Sequence, residues 1–184
     1  MKTPIAVCTA RRISRLAVFL AAFSCAVIAD EQTGGITAPF IEPPPWKEEA
    51  HKLPAYPEKN RLVKVPASLP GYDFRVYIDP DSLSVGGDRV VRYTLVFISS
   101  SGVWNTSYEG QHCGRNEYRR YAYGSNGTWY PVKVSPWQGI ADSGIDHYRY
   151  VLYWKYLCDP LQTNLDIADM LRRIRYPSDS ALHD

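Results

Sequence analysis

Apolar and polar residues alternate with a period of two through the middle of the chain, which predicts half-buried β-strands. Phe74, Val76 and Ile78 alternate with Arg75, Tyr77 and Asp79. Asp79-Pro80-Asp81-Ser82 then reads as a turn with proline at a corner. A short strand over 82–85 runs into Gly86-Gly87-Asp88, a strong hairpin signal. The longest strand follows over Arg89–Ser99, β-branched and aromatic throughout. Ser99-Ser100-Ser101-Gly102 turns the chain, Val103–Glu109 returns, and Gly110 is expected to break the strand. Glu117–Tyr123 and Thr128–Val134 flank Ser125-Asn126-Gly127, a turn of Asn-Gly type. The result is an antiparallel meander of five to six strands joined by short turns.

The period changes towards the C-terminus. Pro136–Ile140 leaves the sheet, and Asp146–Cys158 (DHYRYVLYWKYLC) supports two readings. Tyr148, Tyr150, Leu152, Trp154 and Tyr156 alternate as a strand would. Asp146 is also a good helix N-cap, and Tyr148, Val151 and Leu152 share a helical face. The helical reading is preferred. Leu165–Tyr176 is a clearer helix, with Asn164 as a cap and Arg172, Arg173 and Arg175 matching the dipole in the last turn. Ile167, Met170, Leu171 and Ile174 form its buried stripe. Pro177 stops it, and 177–184 is expected to be a disordered tail.

Proline sets the organisation of the N-terminal side. Eight of the fourteen prolines fall within 30–70, which disfavours long regular elements there. Residues 30–45 are expected to be a disordered linker, with polyproline-like backbone over Glu42-Pro43-Pro44-Pro45. Trp46, Leu53, Tyr56, Leu62 and Val65 suit a segment, 46–70, laid over the domain. One helical turn fits at Trp46–His51. The fold class is therefore α+β: a meander sheet, C-terminal helices on one face and a proline-rich arm, in one domain over 46–176.

Charge and cysteine content change the picture once the first 29 residues are set aside. Lys2, Arg11, Arg12 and Arg15 precede an apolar run over Leu16–Ala29 that is short for a membrane span. Val27-Ile28-Ala29 suits cleavage before Asp30, so 1–29 reads as a secretory signal peptide. Ala22-Phe23-Ser24-Cys25 is a poor lipobox, and membrane attachment is expected only if Cys25 carries a lipid. The whole chain has 21 Lys+Arg against 19 Asp+Glu, and removing four basic leader residues leaves 17 against 19, a net of −2. That excludes a basic nucleic-acid-binding surface as an organising feature. Cys113 and Cys158 remain after cleavage, an even pair in an exported chain, and a disulfide is the favoured reading. The rival, a metal site from His112, Cys113, His147 and Cys158, lacks the spacing of a zinc motif. No metal or other cofactor is expected.

Candidate chemistry is sparse. Pairing across the Ser-Gly turn is expected to bring Arg92 near Glu109 or Asn105, with Arg120 and Lys133 on neighbouring strands, a candidate ligand-binding cluster. The same residues also read as a structural ion pair and a turn-capping amide. Glu109 and His112 are close in sequence but lack an evident nucleophile, so no catalytic set is assigned. Asp79, Asp81 and Asp88 read as turn residues, and the abundant tyrosine and tryptophan read first as packing, then as a groove for sugar or peptide.

Several separated words identify a resemblance. They are Trp46, Asp79, Ser82-Leu83, Val91-Arg92-Tyr93, Ser101-Gly102, Asn105, Tyr108-Glu109-Gly110, Cys113, Tyr121-Ala122, Gly127, Trp129, Trp137 and Cys158. In this order, over about 46–176, they resemble the cryptic-neisserial-protein-like family of small exported proteobacterial proteins. The resemblance implies a periplasmic or outer-membrane location and supplies no activity, cofactor or catalytic residue. Gln111-His112 stands where the family pattern has an apolar and a basic residue. The functional expectation is a non-enzymatic envelope module whose partner is an envelope protein or glycan. The alternative is a small hydrolase of envelope polymers using Glu109 with Arg92 or His112.

Overall fold

The computed structural model describes residues 42, 44–67, 69, 71–158 and 166–178. The leader, Cys25, nearly all of the linker, Asn164 and residues 179–184 lie outside them. The strands are β1 (Val63–Lys64), β2 (Phe74–Val85), β3 (Val90–Ser99), β4 (Trp104–His112), β5 (Glu117–Ser125), β6 (Thr128–Pro131) and β7 (Gln138–Gly139). They form one antiparallel sheet in the order β1-β2-β3-β4-β5-β6, with β7 on β5. The meander is therefore present, and the helices follow it in sequence: α1 (His147–Val151), which widens into a π-helical stretch over Leu152–Leu157, and α2 (Ile167–Arg175).

Pro136–Ile140 does not leave the sheet, because Gln138–Gly139 pairs with β5, and three further local readings need correction. Asp79–Ser82 is not a turn that ends a strand. β2 runs through it, and the register on β3 jumps from Asp79↔Thr94 to Ser84↔Arg92. The extra residues form a bulge in which Pro80 needs no ladder donor. Ser82 Oγ donates to Asp79 O at 2.8 Å and accepts Thr94 N at 2.8 Å, replacing the interrupted ladder. Gly110 does not break β4 either. A Cβ there would lie 2.9 Å from both Tyr121 Cε2 and Val90 Cγ1, so glycine keeps the strand running under the Tyr121 ring. Trp46–His51 holds no helical turn.

β3 is the spine, buried on both faces. Val91, Tyr93 and Leu95 pack on one side with Leu152, Leu157, Met170 and Ile174 of the helices. Val90, Val96 and Ile98 are buried as well, on the alternate positions. The helical preference for 146–158 holds, but Asp146 does not cap α1 with its side chain, which goes to Arg149 instead. The cap of α2 is Asp166, whose Oδ1 accepts Ala168 N at 2.8 Å.

The second face carries the arm. Trp46 Nε1 donates to Asp88 O at 2.9 Å, and its ring meets His112 at 4.8 Å and Trp137 at 5.7 Å. Further along, Trp129 Nε1 donates to Pro54 O at 3.0 Å, and Tyr56 OH reaches Thr106 Oγ1 at 3.3 Å. A small cluster of Tyr108, Tyr121, Ala122 and Trp129 lies under it.

Cys113 and Cys158 form the disulfide, with Cα atoms 5.3 Å apart. It ties the end of β4 to the end of the helical stretch, at a sequence separation of 45. Reduction is expected to lower stability by about 4 kcal/mol, from the loop-closure entropy restored to the unfolded chain. Urea unfolding with and without reductant measures this, and an unchanged midpoint refutes it. For the arm, Trp46→Ala is expected to speed amide exchange and proteolysis over 46–58 while β3 and β4 stay protected. Equal loss of protection in β3 would show that the arm is part of the core.

Candidate functional site

The antiparallel register of β3 on β4 decides where every charged residue points. Tyr93 lies opposite Glu109, Leu95 opposite Ser107 and Phe97 opposite Asn105. These residues share the helix-covered face. Arg92 lies opposite Gly110 and therefore faces the arm. The expected cluster of Arg92, Asn105 and Glu109 is thus divided between the two faces of the sheet. A one-residue difference in register parity is enough to do this.

Glu109 is completely buried and completely occupied. Its Oε1 accepts Ser107 Oγ at 2.9 Å, Arg120 Nε at 3.0 Å and Arg149 Nη2 at 2.8 Å. Its Oε2 accepts Arg149 Nε at 2.8 Å. Arg149, from α1, is itself fully buried and stands over the Tyr118 ring at 3.9 Å and the Tyr148 ring at 4.6 Å. Its other terminal nitrogen meets Asp146 at the surface. A fork-to-fork pair of this kind is among the strongest hydrogen-bonded contacts a side chain makes. Burial alone pushes the Glu109 carboxyl up. The Arg149 charge and hydrogen bonds, then Arg120 and Ser107, outweigh it and hold the pKa below the ordinary range. Burial also raises Tyr148 and Tyr93, with the Glu109 charge adding to it, so both phenols stay protonated. Glu109 is therefore a fixed anion with its acceptor sites filled. It is neither a proton donor nor an open base at neutral pH.

The arm face has its own network. Arg92 Nη2 meets Asp88 Oδ2 at 2.5 Å, Glu49 O at 3.3 Å and Glu48 Oε1 at 3.6 Å. Glu48 is the arm's anchor. It receives Arg119 Nη1 and Tyr121 OH, each at 2.7 Å, and Trp137 Nε1 at 3.2 Å. Asp88 is thus more than a turn residue: besides Arg92 it accepts Glu49 N at 2.9 Å and Val90 N at 3.1 Å. His112 lies on this face too, under Trp46, with Nδ1 accepting Gly114 N at 3.1 Å. The Glu109–His112 pair considered from sequence proximity is therefore not formed, and Arg92 with Glu109 is not formed either. The disulfide takes both sulfurs out of the metal set considered from His112, Cys113, His147 and Cys158. Among the described residues no group of three or more His, Cys, Asp or Glu side chains is placed to hold a metal.

Asn105 stays exposed on the helix-side face and lines a depression of about 200 Å³ with Phe97, Arg120 and Tyr148. Arg120 reaches this face because β5 carries a bulge. The register passes from Tyr108↔Ala122 to Glu109↔Arg120, so Tyr121 is an extra residue. The residue that sequence reasoning missed is Arg149. A signal for it was present. Arg149, Leu152, Tyr153 and Tyr156 fall at i, i+3, i+4 and i+7, so an arginine occupies the buried stripe of an otherwise apolar helix. Glu48 was also missed, and nothing in the extended arm distinguishes it from Glu49.

Residues 41–175 match the model of the CNP1-like family, in agreement with the resemblance read from the separated motif words. No curated protein matches the chain, and no solved structure does.

Glu109→Gln is expected to cost about 3–5 kcal/mol at neutral pH, because it leaves the buried Arg149 and the half-buried Arg120 without the Glu109 charge. The pH dependence has a definite sign. The folded pKa of Glu109 is depressed, so its stabilisation is complete above the unfolded carboxylate range and is lost as pH falls through the folded value. Wild type and Glu109→Gln should therefore converge in unfolding free energy as pH drops below about 4. A constant gap down to acid pH would show that the carboxylate charge is not what the pair contributes.

Proposed function

The chain belongs to the CNP1-like family, a family of uncharacterised function, and for it we propose a non-enzymatic role as an exported binding or structural module of the cell envelope. The observation that carries this reading is the closure of Glu109. The candidate carboxylate is buried, ionised and filled by donors from Ser107, Arg120 and Arg149. A hydrolase would need it open to substrate with a second proton-transferring group in reach. Arg92 and His112, the groups considered for that role, belong to the opposite face. What the fold offers outward is instead aromatic and polar surface on a disulfide-tied sheet.

The first 29 residues and the cysteine use support the compartment in this reading. A basic start, a short apolar run and a small-residue cleavage site support export. The Cys113–Cys158 bridge suits an oxidising periplasm. The partner in this reading is an envelope protein or a glycan. Nucleic acid is disfavoured by the net −2 that remains once the leader is removed, and membrane attachment would require lipid on Cys25.

Two measurements test the proposal. Expressed with its full leader in a Gram-negative host, the protein should appear in osmotic-shock fluid, begin at Asp30 and carry the disulfide. Retention in the cytoplasm with residues 1–29 intact would overturn export. Incubated with purified peptidoglycan, it should release no new products. Cleavage that disappears in Glu109→Gln would replace the module reading with the hydrolase.

A further inference from the structure

Arg120 belongs to the buried network and also reaches the surface. Its Nε is held on Glu109 Oε1 at 3.0 Å, and its Nη1 donates to Tyr123 OH at 2.7 Å, with the guanidinium 4.8 Å from the Tyr123 ring centre. Its side chain keeps 27% of its surface exposed. An arginine fixed at two points loses little rotamer freedom when a ligand takes its remaining edge.

Two depressions meet at this residue. One, of about 200 Å³, is mainly apolar, with Phe74, Phe97 and Tyr148 for walls and Asn105 and Asp146 at its rim. The other, of about 180 Å³, is mainly polar, with Tyr118, Tyr123, Ser135 and Gln138 around it. Tyr118 OH donates to Gln138 Oε1 at 2.9 Å, which leaves the Gln138 amide nitrogen to donate outward. Tyr123 and Tyr130 are direct cross-strand partners and are 51% and 56% exposed. Tyr123 lies opposite Ser107, so this tyrosine pair continues the helix-side face past Arg120, where the helices no longer cover it.

Resting on the binding-module reading, we infer that Arg120, Tyr123 and Tyr130 form a groove that binds a carboxylate-bearing saccharide chain. The groove presents one fixed cation, a pair of open aromatic rings and scattered amide and hydroxyl groups. A uronic-acid-type sugar answers each in turn: its carboxylate to the terminal edge of Arg120, its ring C–H face to the electron-rich tyrosine faces, its hydroxyls to Asn105, Ser135 and Gln138. The polar second depression has nothing to offer an acyl chain. A polyanion such as nucleic acid meets a single cation with the Asp146 carboxylate close by. Asp146 is drawn towards Arg149, so the Arg120 charge is the one that faces the groove without a surface counter-ion in contact.

The test is calorimetric titration of the full chain with a short oligogalacturonate and with its fully methyl-esterified, neutral counterpart. The acid form should bind, and the ester at least about tenfold more weakly, the cost of losing one charge-assisted pair. Tyr130→Ala should weaken the acid form about tenfold, as loss of one stacking ring does. Tyr130 is exposed, so this variant does not depend on how the fold tolerates Arg120→Gln. Arg120→Gln, if folded by circular dichroism, should lose the preference for acid over ester. Absence of binding, equal binding of acid and ester, an unaffected Tyr130→Ala, or equal binding of a polyglutamate peptide would each overturn the groove and leave the module reading standing. Release of new reducing ends from the oligogalacturonate would count against the module reading instead.

Discussion

The Glu109–Arg149 pair fastens the helical layer to the sheet. Both members are fully buried, and each carries a charge that would be costly to leave alone in the interior. A pair of this kind is not a large net source of stability compared with an apolar contact of the same size. Its effect here is positional. The fork of Arg149 fits Glu109 in one orientation, and that orientation places α1 over β4 with Tyr148 and Tyr118 on either side of the guanidinium. The disulfide acts at the other end of the same layer, from Cys113 after β4 to Cys158 after the π-helical stretch. Between them the two links leave the helical stretch little freedom to shift along the sheet.

β3 and β4 serve two layers at once. Odd-numbered residues of β4 carry the helix-side network, and even-numbered ones meet the arm. The arm is held differently from the helices. Its anchors are side-chain hydrogen bonds from Trp46 and around Glu48, together with ring contacts to His112, Trp137 and Tyr121. Such a layer opens with fewer lost apolar contacts than the helical one does, so mobility in the described region is expected to concentrate in the arm. The aromatic residues of the sequence divide accordingly. Some bury themselves in the helix-side core, some seat the arm, and others, Tyr72, Tyr123, Tyr130, Trp154 and Tyr176, remain outside.

Glu109 illustrates how a polar residue in a suggestive stretch acquires its role. In the sequence it stands among Arg, Asn and His, a set from which a catalytic site is easily imagined. In the fold its neighbours are Ser107, Arg120 and Arg149, and their hydrogen bonds leave it closed. Its influence on the exterior runs through Arg120, which it orients. The buried network and the proposed groove are in that sense one construction with an inner and an outer side.

Much of the fold was legible along the chain. Period-two alternation marked the strands, Gly-Gly-Asp and Asn-Gly marked hairpins, an even cysteine pair marked the disulfide, and the Ile167–Ile174 stripe marked α2, because each of these signals depends on local geometry or on simple counting. The bulges at Asp79–Ser84 and Tyr121, the continuation of β4 through Gly110 and the placement of Arg149 were not. A bulge shifts side-chain parity by inserting unpaired residues, and parity decides which face a charge occupies. β3 and β4 pair without a bulge, and there the register alone, Arg92 opposite Gly110 and Tyr93 opposite Glu109, puts Arg92 and Glu109 on opposite faces. Arg120 and Tyr123 are three residues apart, yet meet on one face because Tyr121 is the extra residue. The sequence by itself determined most of the strands and the helix over Ile167–Arg175, because those signals are local. Only the tertiary pairing decided which charges met, since that depends on a register summed over several strands and not on any one of them.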